Sequence, residues 1–406
     1  MIQQRPPKRF RPEPYQWHEE VELEIISLSN LGAGIAKPDQ WVVFVPFTLP
    51  GETVRARVWR NEENCSHADL IEVVKASPDR VQPACPLFAR CGGCQYQHLP
   101  YPLQLEWKAR QVKELLSHMV GLDAPVSPTW PSPQQWGYRS KITPHFQKPQ
   151  PGKPITIGFL EHNRRSLLVD LHHCPIAMDE INQDLRRARQ EVHDNASSYK
   201  KGSTLLMRAT EGRVETNHRA PVSEKVGALT FHFLAGDFFQ NNPFILEDFT
   251  RYAREQASGP GQHYLLDAYC GSGLFALSLA SEFREVLGIE VSETSADWAR
   301  RNAVTNEITN ARFLAASAEH LFKEVTYPAD ETSMVIDPPR KGCSPQFLDQ
   351  LFAFNPSRVV YISCNPATQM RDLNRFLEQG YQLGAIQPFD LFPQTRHLEC
   401  VITLTR

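Results

Sequence analysis

No run of apolar residues in this 406-residue chain approaches the roughly 18 that a membrane span needs. No large excess of charge is present either: 43 Lys and Arg stand against 46 Asp and Glu, a net of −3, so bulk charge announces no polyanionic partner. The basic start, MIQQRPPKRFRPEP, has no apolar segment behind it. It does not read as a secretory signal, and the cytoplasm is the expected compartment. Thiols stay reduced there, so nine cysteines do not imply a disulfide framework. Internal repeats and low-complexity tracts are also missing. At 41% hydrophobic and 22% charged residues, the chain is expected to be globular, with two or three domains.

What is present is unevenly placed. Arg5, Lys8, Arg9 and Arg11 meet only Glu13 at the start, and Arg139, Lys141, Lys148, Lys153, Arg164 and Arg165 meet only Glu161 and Asp170 further on. Local basic surface of this kind can attract phosphate, although solvated loops look the same.

Three segments differ in pattern. Residues 14–78 hold about five short strand signals between 20 and 76, broken by Asn30, Gly32 and a Pro-Gly turn, which suggests a small β-barrel of OB type. Residues 79–235 are mixed α+β and Pro-rich. A helix is expected over 102–120, with Leu105, Ala109, Val112 and Leu116 at helical spacing, and it could pack on the last domain. Residues 236–406 alternate strand and helix, with Ser292 placed to cap one helix. Such alternation predicts an α/β, Rossmann-like and mostly parallel sheet whose ligands sit at the C-terminal strand ends.

In LLDAYCGSGLF an acidic residue ends a strand, and Gly271 and Gly273 open a helix. The full G-x-G-x-x-G fingerprint is absent because Ala276 holds its third glycine position. Three neighbours sharpen the signal: Glu290 at the end of the next strand, placed for ribose hydroxyls, Asp337 before a rigid Pro-Pro turn, and Gln240 in DFFQNN. Together these resemble a class I S-adenosylmethionine methyltransferase, with a nucleotide-dependent dehydrogenase as the rival. Arg340 follows the prolines where amino-methylating enzymes carry an aromatic, which disfavours that class.

ACPLFARCGGCQYQ spaces Cys85, Cys91 and Cys94 as C-x5-C-x2-C, and Cys174 follows far downstream. Three near thiols and one distant thiol can enclose a [4Fe–4S] cluster or a tetrahedral zinc, and unrelated reduced thiols are the bland alternative. The spacing is not that of radical S-adenosylmethionine enzymes.

YISCNPATQM puts Cys364 at the ligand edge of the sheet, and Glu399 in DLFPQTRHLECV leads into the last strand. A thiol and a carboxylate beside a methyl donor suit methylation of a carbon that is not itself nucleophilic. Uracil C5 is such a carbon: a thiolate adds to C6, C5 then takes the methyl group, and a base removes the C5 proton. The thiol is expected either to have a lowered pKa or to lose its proton to a nearby base as it attacks.

SCNPAT, DPPR, HLE, FFQ and the C-x5-C-G-G-C run jointly resemble the uracil-C5 RNA methyltransferase family, from about residue 20 to the end. The resemblance implies an RNA-binding TRAM barrel, a [4Fe–4S] cluster on Cys85, Cys91, Cys94 and Cys174, Cys364 as nucleophile and Glu399 as base. It also implies S-adenosylmethionine contacts from Gln240, Tyr269, Glu290 and Asp337, and a monomer. Many members have Asn where this chain has Leu274, so that polar contact is lost. The cluster cysteines tilt the expected substrate towards 23S ribosomal RNA, with tRNA as the alternative. A non-catalytic RNA-binding factor and a cytosine-C5 enzyme are the competing readings. The latter generally carries Pro-Cys at the nucleophile.

Overall fold

The computed structural model describes residues 6–150 and 152–406, so Arg5 and the side chain of Arg165 lie outside the described residues. Its contacts form two compact units rather than three consecutive segments. The first holds the described chain up to Gln111 together with Leu160–Leu167 and Gln394–Arg396, and the second holds Val112–Phe159, Leu168–Pro393 and His397–Arg406. The segment 79–235 is therefore divided between the units. No helix among the described residues is long and apolar enough to cross a membrane.

The first unit is built on β1 (Glu20–Glu24), β2 (Ser27–Leu28), β3 (Ala33–Ala36), β4 (Val42–Pro46), β5 (Thr53–Asn61) and β6 (Cys65–Lys75). Their order is β1-β5-β6-β4-β3-β2. Since β1 and β2 are separated only by Ile25 and Ile26, the sheet returns on itself. Strands β4 and β6 run parallel, and the other pairs are antiparallel. In β5 the two-residue period is plain: Val54, Ala56 and Val58 are buried, while Arg55 and Arg57 point out to ion pairs with Glu72 and Glu20. Three register shifts between β5 and β6 supply the bends that a small closed sheet needs.

Helix α1 (Tyr101–Val120) appears at the expected place, but its buried face differs from the expected one. In its first half the buried residues are Gln104, Lys108 and Gln111, and Leu105 and Ala109 are only half-buried. Long-range partners explain this. Gln104 donates to the carbonyls of Tyr96 and Leu99 and to Gln394 Oε1, and Gln111 donates to Ser29 O and Tyr96 Oη. In the second half Val112 and Leu116 are fully buried in the core of the second unit, as expected of them.

The second unit begins with short strands: β7 (Lys141–Ile142), β8 (His145–Phe146), β9 (Ile157–Glu161), β10 (Arg164–Asp170), β11 (Ser203–Thr204), β12 (Met207–Thr210), β13 (Arg213–Glu215), β14 (Pro221–Val226) and β15 (Leu229–Leu234). The outer part of the β9–β10 turn, 160–167, belongs to the first unit. Helix α2 (Asp179–Asp194) lies between β10 and β11, and its Arg189 makes a two-pronged pair with Asp170 at 2.9 and 3.0 Å.

After α3 (Leu246–Ala257) comes the large sheet: β16 (Tyr264–Ala268), α4 (Leu274–Leu279), β17 (Glu285–Glu290), α5 (Glu293–Thr305), β18 (Ala311–Ala315), α6 (Leu321–Glu324), β19 (Thr332–Ile336), α7 (Pro345–Phe354), β20 (Arg358–Ser363), α8 (Pro366–Glu378), β21 (Gln382–Phe389) and β22 (Glu399–Thr405). The order is β18-β17-β16-β19-β20-β22-β21. Strands β16 to β20 run parallel to one another, and β22 is antiparallel to both β20 and β21. Helices cover both faces, so successive strand residues alternate between two cores. Val335, Val360 and Val401 join the core under α3, α4 and α5, while Met334, Val359 and Ile402 join the one under α7 and α8. Ser292 caps α5 as expected, its Oγ accepting from Ser295 N–H at 3.3 Å.

Candidate active site

Register alone brings the strand-end residues into one line. Ala268 pairs with both Ile289 and Ile336, so the next residues along, Tyr269, Glu290 and Asp337, stand side by side. Ser363 pairs with Cys400 across antiparallel strands, which sets Cys364 beside Glu399. Because β22 runs the other way, its first residue lies at the same edge as the last residues of the parallel strands.

At the cofactor end, Tyr269 (φ 69°), Gly271 (φ 55°) and Gly273 (φ 92°) turn the chain sharply into α4. A Cβ at Gly271 would meet nothing within 4 Å, so this loop borders open space that a ligand can enter. The Glu290 carboxylate accepts N–H groups of Gly271 (3.1 Å) and Ser292 (2.8 Å). Asp267 accepts the Ala276 N–H at 2.8 Å through Oδ2, and its Oδ1 is buried with no partner. Burial, then the nearby Asp337 and Glu290, push the Asp267 carboxyl well above the usual range. An acidic, backbone-lined edge with an unsatisfied buried oxygen fits a cationic donor bearing ribose hydroxyls.

At the reacting end, burial pushes Asp337 up to about 7. Glu399, 4% exposed, is raised well above the usual range by burial and then by Asp337, with Arg340 opposing. Burial first, then Glu399 and Asp337, push the Cys364 thiol up to about 11, against an opposing hydrogen bond and charge from Arg340. This direction is opposite to the lowered thiol pKa that is one of the two expectations from the sequence. The thiol's two acidic neighbours and its burial outweigh the one cation.

Arg340 was not recognised in the sequence as a site residue, although it directly follows Asp337-Pro-Pro. Asn365 Nδ2 and Thr368 Oγ1 both donate to its carbonyl, at 3.0 and 3.2 Å, so the SCNPAT run that carries Cys364 also anchors Arg340. Gln369 was missed too. It donates to the carbonyls of Tyr361 and Cys400 at 2.9 Å and so ties β20 to β22 beneath Cys364 and Glu399.

Gln240 is buried in the turn before α3, and Tyr269 points to Cys343 and packs edge-on against Phe347 at 5.4 Å. Neither joins the Cys364–Asp337–Glu399 group. The turn carrying Gln240 is fixed by two cations: Lys141 donates to the carbonyls of Gly236 (2.8 Å) and Asp237 (3.0 Å), and Arg208 to those of Ala235 (3.0 Å) and Asp237 (3.1 Å). Lys141, expected as part of a basic surface, is therefore half-buried and committed to the protein's own backbone. Phe238, two residues before Gln240, is 77% exposed.

Three of the four clustered cysteines lie in the first unit and Cys174 in the second. The Phe88 N–H donates to the Cys85 carbonyl at 3.0 Å, and Cys91 Sγ accepts the Gly93 N–H at 3.4 Å. Burial raises both thiols. Gly92 donates to Leu160 O, and a Cβ there would press on that oxygen at 3.3 Å, so the glycine is needed for close passage. Asn182 on α2 holds Cys174 by both its N–H (2.8 Å) and its carbonyl (3.1 Å).

The sequence pattern of the tRNA (uracil-5-)-methyltransferase family matches residues 153–406. The chain is 44% identical to the tRNA (uracil(54)-C(5))-methyltransferase of Schizosaccharomyces pombe, over 97% of this chain and 79% of that protein. It is 33% identical to the enzyme of the same name from Saccharomyces cerevisiae, over 96% of this chain and 74% of that one. The crystal structure of Pyrococcus abyssi tRNA (uracil-54, C5)-methyltransferase with S-adenosyl-L-homocysteine superposes with a TM-score of 0.73, covering 95% of this chain and all (100%) of that one at 24% identity, a likeness of fold. The chain belongs to the uracil-C5 RNA methyltransferase family, enzymes that place a methyl group from S-adenosylmethionine on C5 of uracil in RNA.

Proposed function

We propose that the RNA is tRNA and that methylation runs through Cys364 and Glu399. The 44% identity to a tRNA enzyme across nearly the whole chain supports the substrate and moves the expectation away from 23S ribosomal RNA. The observation that carries the mechanism is the pairing of Ser363 with Cys400, which sets thiol beside carboxyl.

Cys364 gives up its proton to solvent and adds through sulfur to uracil C6, leaving an enolate with C5 nucleophilic. S-adenosylmethionine, when bound, supplies the methyl carbon as a sulfonium electrophile. Glu399 in its ionised form then takes the C5 proton, the C5=C6 bond re-forms, and the Cys364 thiolate leaves. A carboxyl raised by burial is a better proton acceptor than a solvated one. Arg340, whose positive charge opposes the rise of the thiol, would stabilise the thiolate when it forms and when it leaves. Glu290 and Tyr269 would hold the donor with Gln240, and Asp337, coupled electrostatically both to Asp267 and to Glu399, would sit between donor and base.

The strand order of β1–β6, with its one parallel pair, supports a TRAM-like OB barrel over 14–78 that contacts RNA. An iron-sulfur domain over 79–235 and a donor domain over 236–406 complete the functional division. An all-thiol donor set, with the Gly93 N–H aimed at the Cys91 sulfur, fits a [4Fe–4S] cluster held by Cys85, Cys91, Cys94 and Cys174. The protein would act as a cytoplasmic monomer.

The test uses S-adenosylmethionine and RNA containing 5-fluorouridine, from which the base cannot remove fluorine as a proton. With tRNA the wild type should form an adduct that survives denaturation and maps to Cys364, and Cys364→Ala should form none while still binding the donor. An adduct with ribosomal RNA alone would reverse the substrate assignment, and an adduct persisting in Cys364→Ala would end the covalent role of that thiol.

A further inference from the structure

The first unit carries three side chains whose chemistry the methyl transfer does not use. Glu62 and Cys65 face each other at the mouth of the β5–β6 hairpin, where the Glu62 N–H donates to Cys65 O at 2.8 Å. His67 is two residues along β6 from Cys65, and residues i and i+2 of a strand share a face. Their ligand atoms converge: His67 Nε2 to Glu62 Oε1 is 3.4 Å, Cys65 Sγ to His67 Nε2 is 4.0 Å, and Cys65 Sγ to Glu62 Oε2 is 4.0 Å.

We propose that Glu62, Cys65 and His67 form a binding site for a divalent transition metal of the zinc class. In a tetrahedral site with Zn–S near 2.3 Å and Zn–N and Zn–O near 2.0–2.1 Å, the ligand atoms stand about 3.3–3.6 Å apart. With one Glu62 oxygen as the ligand, the three ligand atoms lie within 4.8 Å of one another, so side-chain turns that move them by about an ångström close the set. Thiolate, imidazole and carboxylate suit zinc, cobalt and nickel better than magnesium or calcium, which take oxygen ligands.

The frame is already rigid. His67 stacks on Phe44 (ring centroids 5.4 Å apart) and lies against Trp59 (5.6 Å). Ser66, between the two β6 ligands, donates to Asn61 Oδ1 at 2.7 Å and accepts from Trp41 Nε1 at 2.9 Å. Asn61 in turn donates to the carbonyls of Arg11 and Tyr15. The competing cation is Arg60, whose NH2 is 3.0 Å from Glu62 Oε1. Its side chain is 58% exposed and can turn outward when a metal takes that oxygen. Binding releases the Cys65 thiol proton to solvent and leaves a fourth position for water.

Cobalt(II) is the probe, added to the full-length chain with its other cysteines unchanged. Wild type should retain about one equivalent more cobalt after desalting than Cys65→Ser or His67→Ala, because each variant removes a ligand. A Cys85→Ser chain should keep that extra equivalent. Equal cobalt content in wild type and both variants would overturn the site. Should a variant fail to fold, X-ray absorption on wild-type cobalt protein decides: a mixed S, N and O shell supports the site, and a shell of sulfur alone rejects it.

Discussion

Two places in the molecule, the Glu52 site and the Cys364 edge, treat buried acids in opposite ways, although the second unit also holds a compensated one, Asp372 with Arg371. In the first, Glu52 is fully buried, yet Arg80 meets it with both Nε (2.5 Å) and NH2 (2.8 Å), and the Leu49 N–H adds a third bond at 2.8 Å. In the second, Asp267 and Glu399 are buried and Asp337 is half-buried at one sheet edge. Among the cations, only Arg340 is found to oppose the rise of Glu399 and Cys364. A compensated acid keeps its proton off and fixes a fold, whereas acids crowded together hold their protons and wait for a partner to change that. The second arrangement costs stability, and it is the kind found where chemistry is done. A sulfonium donor would bring the missing positive charge.

The sharpest way to break this contrast is Glu399→Gln. Losing a general base costs about 10²–10⁴-fold in turnover, and the variant should accumulate a covalent protein–RNA adduct because methylation proceeds while elimination stalls. Its melting temperature should hold or rise, since a buried acid without adequate compensation has been removed. Normal turnover with free enzyme only would take Glu399 out of the base role.

Arg80→Met probes the other side. Leaving Glu52 buried without its guanidinium should cost about 3–5 kcal/mol in stability of the first unit, read by denaturant melting. The donor affinity of the second unit should change little. A variant as stable as wild type would show that water enters and solvates Glu52, and the two places would then not differ in kind.

Much of the donor edge is legible in the sequence, because it is written locally. Glycines at 271 and 273, an acid at a strand end and Asp-Pro-Pro each declare themselves within a few residues. What the sequence hides is set by distant partners. The Cys364 thiol is raised by Glu399, 35 positions on, and by Asp337, 27 back, so its local run suggests nothing of the sign. Helix α1 offered Leu105 and Ala109 as its face, but residues as far away as Gln394 satisfy Gln104 and bury the polar side instead. Strands β18 and β21 went unread, since ARFLA and QLGAIQPF carry weak alternation and gain their place only by pairing with β17 and β22. The two-unit division was equally hidden, because short returns of the chain at 160–167 and 394–396 have no compositional mark.

The smallest expected effect is the most direct measure of the uncompensated edge. Asp337 is pushed up to about 7 by burial, against an ordinary value near 4 in the unfolded chain. Between those values the folded state binds the extra proton, so stability falls as pH rises from about 4 to 7 and levels off above. Glu224, pushed by burial to about 7, adds a slope of the same sign, and the buried His98, held down at about 3, adds one of opposite sign below pH 6.5. The absolute curve is therefore mixed, and the difference between wild type and Asp337→Asn isolates the site. That variant removes one titration and lowers the neighbouring Glu399, so its melting temperature should drop less than that of wild type between pH 5 and pH 8. Parallel curves would mean that Asp337 titrates as a solvated carboxyl, and the crowded-acid account of this edge would fail with it.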